Sequence, residues 1–188
     1  MSAARTLTIW SAGLAVVGAV SSWLAHRECP LFYADSKLTL DPVPREVVSI
    51  GAGFVFAVLV IAFTRVSVRR WTWAKQLHNS LRPIAQQLST KDILVLALLS
   101  GVGEELLFRS LLVPWIGPYA QALVFGVLHQ TRGPSRWVWA SWAAIVGLVF
   151  GLMYEYFGTL SGPVVAHCLI NGVNLTLLRS SKPKPCPS

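Results

Sequence analysis

Charge is what this chain has least of. Only 13% of its 188 residues are charged and only eight are acidic, whereas soluble domains run near 25% charged. With 54% hydrophobic residues and a mean hydropathy of +0.56, that scarcity excludes an ordinary soluble domain and a disordered chain. Cysteine is scarce too. Cys29, Cys168 and Cys186 are the three present, with no C-x-x-C among them, so neither a disulfide framework nor a structural zinc site is indicated. Cys168 lies in an apolar run and reads as a packing residue. Cys186 is third from the end, so the tail is not itself a C-a-a-X signal. H-E-x-x-H is absent. No internal repeat is evident, which argues against an inverted-repeat transporter. The net charge of +8 raises the question of nucleic acid. The basic residues, however, fall in short segments between apolar runs, the pattern of the positive-inside rule, so no nucleic-acid partner is expected.

What is present is a series of apolar runs. They cover about Leu7–Ala25, Val47–Val68, Ile93–Ile116, Tyr119–His129, Trp137–Phe157 and Leu160–Leu178. The first reads as a spanning helix rather than a signal peptide: its n-region has only Arg5, and no small-x-small site precedes Arg27-Glu28. The loop after it, with Pro30, Pro42 and Pro44, is expected to be irregular. Between the second and third runs lie Arg65, Arg69, Arg70, Lys75, Arg82 and Lys91, with no acid before Asp92. This places the segment in the cytoplasm. Within it, Trp71, Trp73, Leu77, Leu81, Ile84 and Leu88 predict an amphipathic surface helix, interrupted near Pro83.

The expected fold class is therefore all-α: a polytopic membrane bundle of about six transmembrane helices plus a cytoplasmic amphipathic helix. Six spans put both termini in the cytoplasm, and the expected location is a bacterial inner (plasma) membrane. Along the chain the division is residues 1–90, two helices and the basic segment; 91–179, a helical core; and 180–188, a disordered tail.

One stretch in the third run stands out. Ser100-Gly101-Val102-Gly103-Glu104-Glu105-Leu106-Leu107-Phe108-Arg109 carries two acids and an arginine inside apolar sequence. A charge at a bilayer centre costs about 2.5–3.5 kcal/mol, so three in one helix point to use. Glu105 and Arg109 are four apart with the acid first, the favourable order for an ion pair on one helix face. Glu104 is rotated about 100° away and is expected to face the interior unpaired, where a carboxylate suits general acid–base work. Gly101 and Gly103 permit close approach of another helix or a substrate backbone. Later runs add His129, one turn after Phe125, and the pair His167 and Asn171 on one face, continued by Asn174. Alone, a helix-end histidine is as well read as solvated or satisfied by backbone, and the His-Asn pair as polar glue between helices. Glu155, between two tyrosines at a helix end, reads as interfacial.

Glu104-Glu105-x-x-x-Arg109, then Phe125-x-x-x-His129, then His167-x-x-x-Asn171 resembles the three ordered motifs of the CAAX-protease and bacteriocin-processing (CPBP, or Abi) family of intramembrane proteases. The resemblance covers Ile93 to Leu178, about half the chain. It implies a glutamate-dependent endopeptidase acting on a membrane-associated peptide or protein. By the resemblance, Glu104 and His129 activate a water, His167 and Asn171 stabilise the oxyanion, and Glu105, Arg109 and Phe125 support the site. No cofactor is favoured. The mechanistic rival is zinc held by Glu104, His129 and His167, with water as fourth ligand. Readings from other classes are a proton-coupled transporter, since intramembrane acids and histidines also build relays, and a non-catalytic immunity or scaffold protein. The compact length favours a dedicated bacterial partner over a broad C-a-a-X processor.

Overall fold

The structure is a computed structural model, and it describes residues 9, 12–13, 15–21, 23, 36–130 and 135–181. Among these the elements are α1 (Pro42–Arg70), α2 (Thr72–Ala85), α3 (Thr90–Glu105), a π-helical segment (Leu106–Leu112), α4 (Val113–Leu128), α5 (Arg136–Phe157) and α6 (Ser161–Ser180). No strand occurs among the described residues. Part of the first apolar run, the Arg27–Pro30 loop, the Arg132–Pro134 turn and the tail from Lys182 lie outside them.

Among the described residues, four helical stretches are long and apolar enough to cross a membrane: Pro42–Arg70, Thr90–Leu128, Arg136–Phe157 and Ser161–Ser180. Their outer faces are apolar. Val43, Leu59, Leu98, Leu123 and Val127 are all exposed, as lipid-facing positions are in a bundle whose backbone bonds close within each helix. The chain is an integral membrane protein.

The second of these stretches has 39 residues, about 58 Å if straight, nearly twice a hydrocarbon core. It is not straight. Gly117 stands at φ 75°, ψ 167°, a conformation open to glycine, and Pro118 follows it. The chain folds back there, as the contact between Phe108 and Phe125 shows, with ring centroids 4.8 Å apart. The third and fourth apolar runs are thus the two arms of one helical hairpin.

Two local expectations are corrected. Pro42 and Pro44 do not belong to an irregular loop; Pro42 opens α1, since a first-turn proline has no helical N–H to lose and its φ is already helical. Pro83 does not interrupt α2, which runs on to Ala85. Proline there removes a single N–H bond and crowds only the turn before it. The start of α3 is fixed by a capping box: Ser89 Oγ accepts from the Asp92 backbone N–H at 3.2 Å, and Asp92 Oδ2 accepts from the Ser89 N–H at 2.8 Å. Gly158, at φ 66°, ends α5 in the left-handed conformation.

The helices meet through small residues, which let membrane helices approach closely. α1 and α6 touch at Gly53 and Gly162, and Ser49 Oγ accepts the Gly162 N–H at 3.1 Å. α4 and α5 touch where Gly126 faces Ala140 and Ala144. α3 meets α6 where Gly101 faces Cys168, and Gly103 faces Ala15 and Gly18 of the helical residues 15–21. Ala57, Val60, Val146, Phe150, Met153, Ala166 and Ile170 share one buried cluster, so α1 and the later helices build a common core. On the opposite rim of the bundle Lys37 Nζ pairs with Glu155 Oε2 at 3.2 Å.

Candidate active site

α3, the hairpin and α6 bring the polar residues of three separate runs to one place. Glu105 and Arg109 are fully buried and paired, Nη1 to Oε1 at 3.0 Å. Burial of two charges is expensive unless further contacts compensate. Here Arg109 Nη2 also donates to the Gly147 carbonyl at 3.1 Å, and the guanidinium lies 4.5 Å from the Phe125 ring centre and 5.2 Å from that of Phe150. Such cation–π contacts gain strength in a dry setting. Glu105 Oε1 also takes the Nδ1–H of His167 at 2.7 Å. One carboxylate thus ties the π segment to α6.

Glu104, on the last turn of α3, is not unpaired as the spacing alone predicts. Its Oε2 lies 3.3 Å from Nε2 of His129 and 3.7 Å from Nε2 of His167. Helical geometry separated it from Glu105 correctly, but the hairpin delivers histidines that the third run could not reveal. The side chain is 12% exposed, although its Oε2 is buried. A π segment starts immediately after the two glutamates. Widened turns of this kind recur at functional sites, and here one carries Arg109 into the interior.

The tautomers follow from the acceptors. His129 Nδ1 lies 2.8 Å from the Phe125 carbonyl, which only accepts, so Nδ1 bears the proton and Nε2 faces Glu104. His167 likewise spends its Nδ1–H on Glu105. His129 lies just past the end of α4. Burial works against its charged form, but the adjoining Glu104 carboxylate, as bond partner and as charge, together with the Phe125 carbonyl, outweighs this and raises its pKa above the ordinary histidine value.

One turn along α6 from His167, Asn171 Nδ2 donates to Ser100 Oγ at 3.0 Å. Ser100 itself donates to the Leu96 carbonyl at 2.7 Å, one turn before Glu104. The α3–α6 seam therefore has two rungs, glutamate–histidine and serine–asparagine. Sequence reasoning gave no role to Ser100, Gly147 or Phe150. The first carried a signal, the four-residue spacing from Glu104; the others, on α5, carried none.

No group of three or more His, Cys, Asp and Glu side chains among the described residues is arranged to hold a metal ion. Glu104, His129 and His167, the side chains of the zinc reading, nevertheless lie close to one another.

Comparison with known proteins agrees with the motifs. The sequence model of the Rce1-like family, described as type II CAAX prenyl endopeptidase Rce1-like, matches residues 86–173, the span from the end of α2 to the middle of α6 that holds the whole cluster. The uncharacterized protein YpbD of Bacillus subtilis (strain 168) is 33% identical over 132 residues, 69% of this chain and 68% of its own length. No solved structure matches the chain. The ordered motifs, their convergence in the bundle and these two similarities lead to one conclusion: the chain belongs to the CAAX-protease and bacteriocin-processing (CPBP) family of membrane endopeptidases.

Proposed function

We propose that this protein is a glutamate-dependent intramembrane endopeptidase that hydrolyses a peptide bond of a membrane-associated protein or peptide. The observation that carries the reading is the meeting of Glu104 with His129 and His167, from α3, the far arm of the hairpin and α6.

In this reading a water binds against the Glu104 carboxylate, beside His129, whose Nε2 is in contact with Oε2. Glu104 takes a proton from it, and the oxygen bonds to the scissile carbonyl carbon. The carbonyl oxygen becomes an oxyanion, which receives the second Nδ2–H of Asn171 and the Nε2–H of His167. Because His167 Nδ1–H is committed to Glu105, it is Nε2 that faces the oxyanion. The C–N bond then breaks, and the proton held by Glu104 passes to the leaving nitrogen. Each oxyanion donor is worth roughly 3–4 kcal/mol. Glu105, Arg109 and Phe125 hold the frame. Catalysis without metal is part of the proposal, as is a cytoplasmic position for both termini in a bacterial inner membrane.

The test is cleavage of a co-expressed membrane-anchored substrate by wild type and by Glu104→Gln, followed by assay of the purified enzyme in strong chelator. Cleavage lost in Glu104→Gln at equal protein level and retained in chelator supports the reading. Cleavage that disappears with chelator and returns with zinc assigns the same residues to a metal.

A further inference from the structure

Beside the catalytic cluster lies a cavity of about 470 Å³ enclosed by α1, α2, α5 and α6. Its apolar wall includes Val68, Leu77, Ile84, Ile170 and Leu178, and Asn171 and Asn174 also line it. Arg65, Arg69, Lys75 and His78 line it from the corner where α1 turns into α2, and neither Asp nor Glu lines it. Arg65 and Arg69 are exposed, and Lys75 is half-buried.

Two further features specify an occupant. Stacked aromatic pairs frame the corner, Phe63 with Trp142 at 5.1 Å and Trp71 with Trp73 at 5.8 Å, and tryptophan belts mark the depth of lipid headgroups. A second, almost wholly apolar hollow shares Phe63, Trp73 and Trp142 with the first and continues to Trp137 and Ile145, both exposed on the outer face of α5. The cavity thus opens sideways toward hydrocarbon, with a purely cationic set of side chains at headgroup depth. Soluble anions would use the charge and leave the apolar volume idle. Neutral apolar molecules would do the reverse.

We propose that this cavity binds one anionic phospholipid, its phosphate held by Arg65, Arg69 and Lys75 and an acyl chain lying along α6 toward Asn174. Arginine offers planar paired donors that match phosphate oxygens, and basic side chains at an anionic leaflet each favour such a lipid. The headgroup is held by the basic corner and not by Glu104, although Asn171 lines the cavity as well.

The test uses the full chain in vesicles of equal phosphatidylglycerol and phosphatidylcholine. The protein is extracted in mild detergent and its retained lipids are counted by native mass spectrometry. The expected result is a single retained phosphatidylglycerol, favoured at least about tenfold over phosphatidylcholine. Arg65→Ala/Arg69→Ala/Lys75→Ala abolishes the preference, Arg65→Lys/Arg69→Lys keeps most of it, and Glu104→Gln leaves it unchanged. Equal retention of the two lipids by wild type, or an unchanged preference in the triple alanine variant, overturns the proposal. If that variant does not fold, wild-type tryptophan fluorescence decides. Acyl-brominated phosphatidylglycerol must quench it more than equally brominated phosphatidylcholine does, and equal quenching overturns the site. A failed protease assay leaves these lipid counts untouched, and failed lipid selectivity leaves cleavage by Glu104 untouched.

Discussion

Asn171 donates its side-chain amide to Ser100 Oγ at 3.0 Å across a sequence separation of 71 residues. This bond holds the side-chain amide that the proposed mechanism turns toward the oxyanion. Ser100→Ala removes the acceptor and not the donor. The expected result is a loss of about five- to tenfold in kcat, the worth of one hydrogen bond of about 1 kcal/mol, with unchanged thermal stability. Asn171→Ala is expected to cost more, on the order of a hundredfold or above, in a protein that still folds. Steady-state cleavage by both variants, with a melting curve for each, checks this.

Glu105 and Arg109 are both fully buried, so removing one partner strands the other. Arg109→Met is expected to destabilise the bundle by about 3–5 kcal/mol. Glu105→Leu/Arg109→Met is expected to be less unstable than the sum of the two single changes, because the double change leaves neither charge behind. Unfolding of the four proteins in detergent measures the coupling directly.

How much of this was legible in the sequence depends on whether the signal was local. The hydrophobic runs from Val47 onward, the basic segment and the Glu105–Arg109 pairing follow from local spacing, and all are present. The ordered motifs placed the chain in its family. What spacing could not supply was anything made by two distant segments. The contact of Glu104 with His129 depends on the reversal at Gly117, and the anchoring of Arg109 depends on Gly147 of α5, a glycine with nothing in its own neighbourhood to mark it. The π segment was also invisible, since its residues repeat no pattern distinct from an α-helix. Pro42 and Pro44 misled because proline at a helix start and proline in a loop look alike without the helix.

Gly147 is a sharp test of the packing. A Cβ there would meet the Phe125 ring at 2.8 Å and Arg109 Nη2 at 3.3 Å. Gly147→Ala is expected to destabilise by about 1–3 kcal/mol and to lower kcat by displacing the guanidinium and ring that back the site. Gly51, whose Cβ would meet nothing within 4 Å, is the control: Gly51→Ala is expected to be neutral or slightly stabilising.

The raised pKa of His129 has a definite sign. Its folded value exceeds the unfolded value near 6.5, so the charged His129–Glu104 pair contributes stability that is complete below about pH 6.5. That contribution is lost as pH rises through the folded pKa. In Glu104→Gln the partner charge is gone and burial is left to act against protonation, so His129 is expected to titrate lower than in wild type. Histidine-selective NMR titration of the two proteins, with melting temperatures from pH 5.5 to 8.5, checks both statements.

The central claim is that Glu104 is the carboxylate that cuts. It is tested most directly by mapping protein termini in membranes of cells that express wild type or Glu104→Gln at matched levels. The account predicts a set of new membrane-protein termini with wild type that is absent with Glu104→Gln. The same termini from both proteins, with Glu104→Gln folded and membrane-inserted, would contradict it.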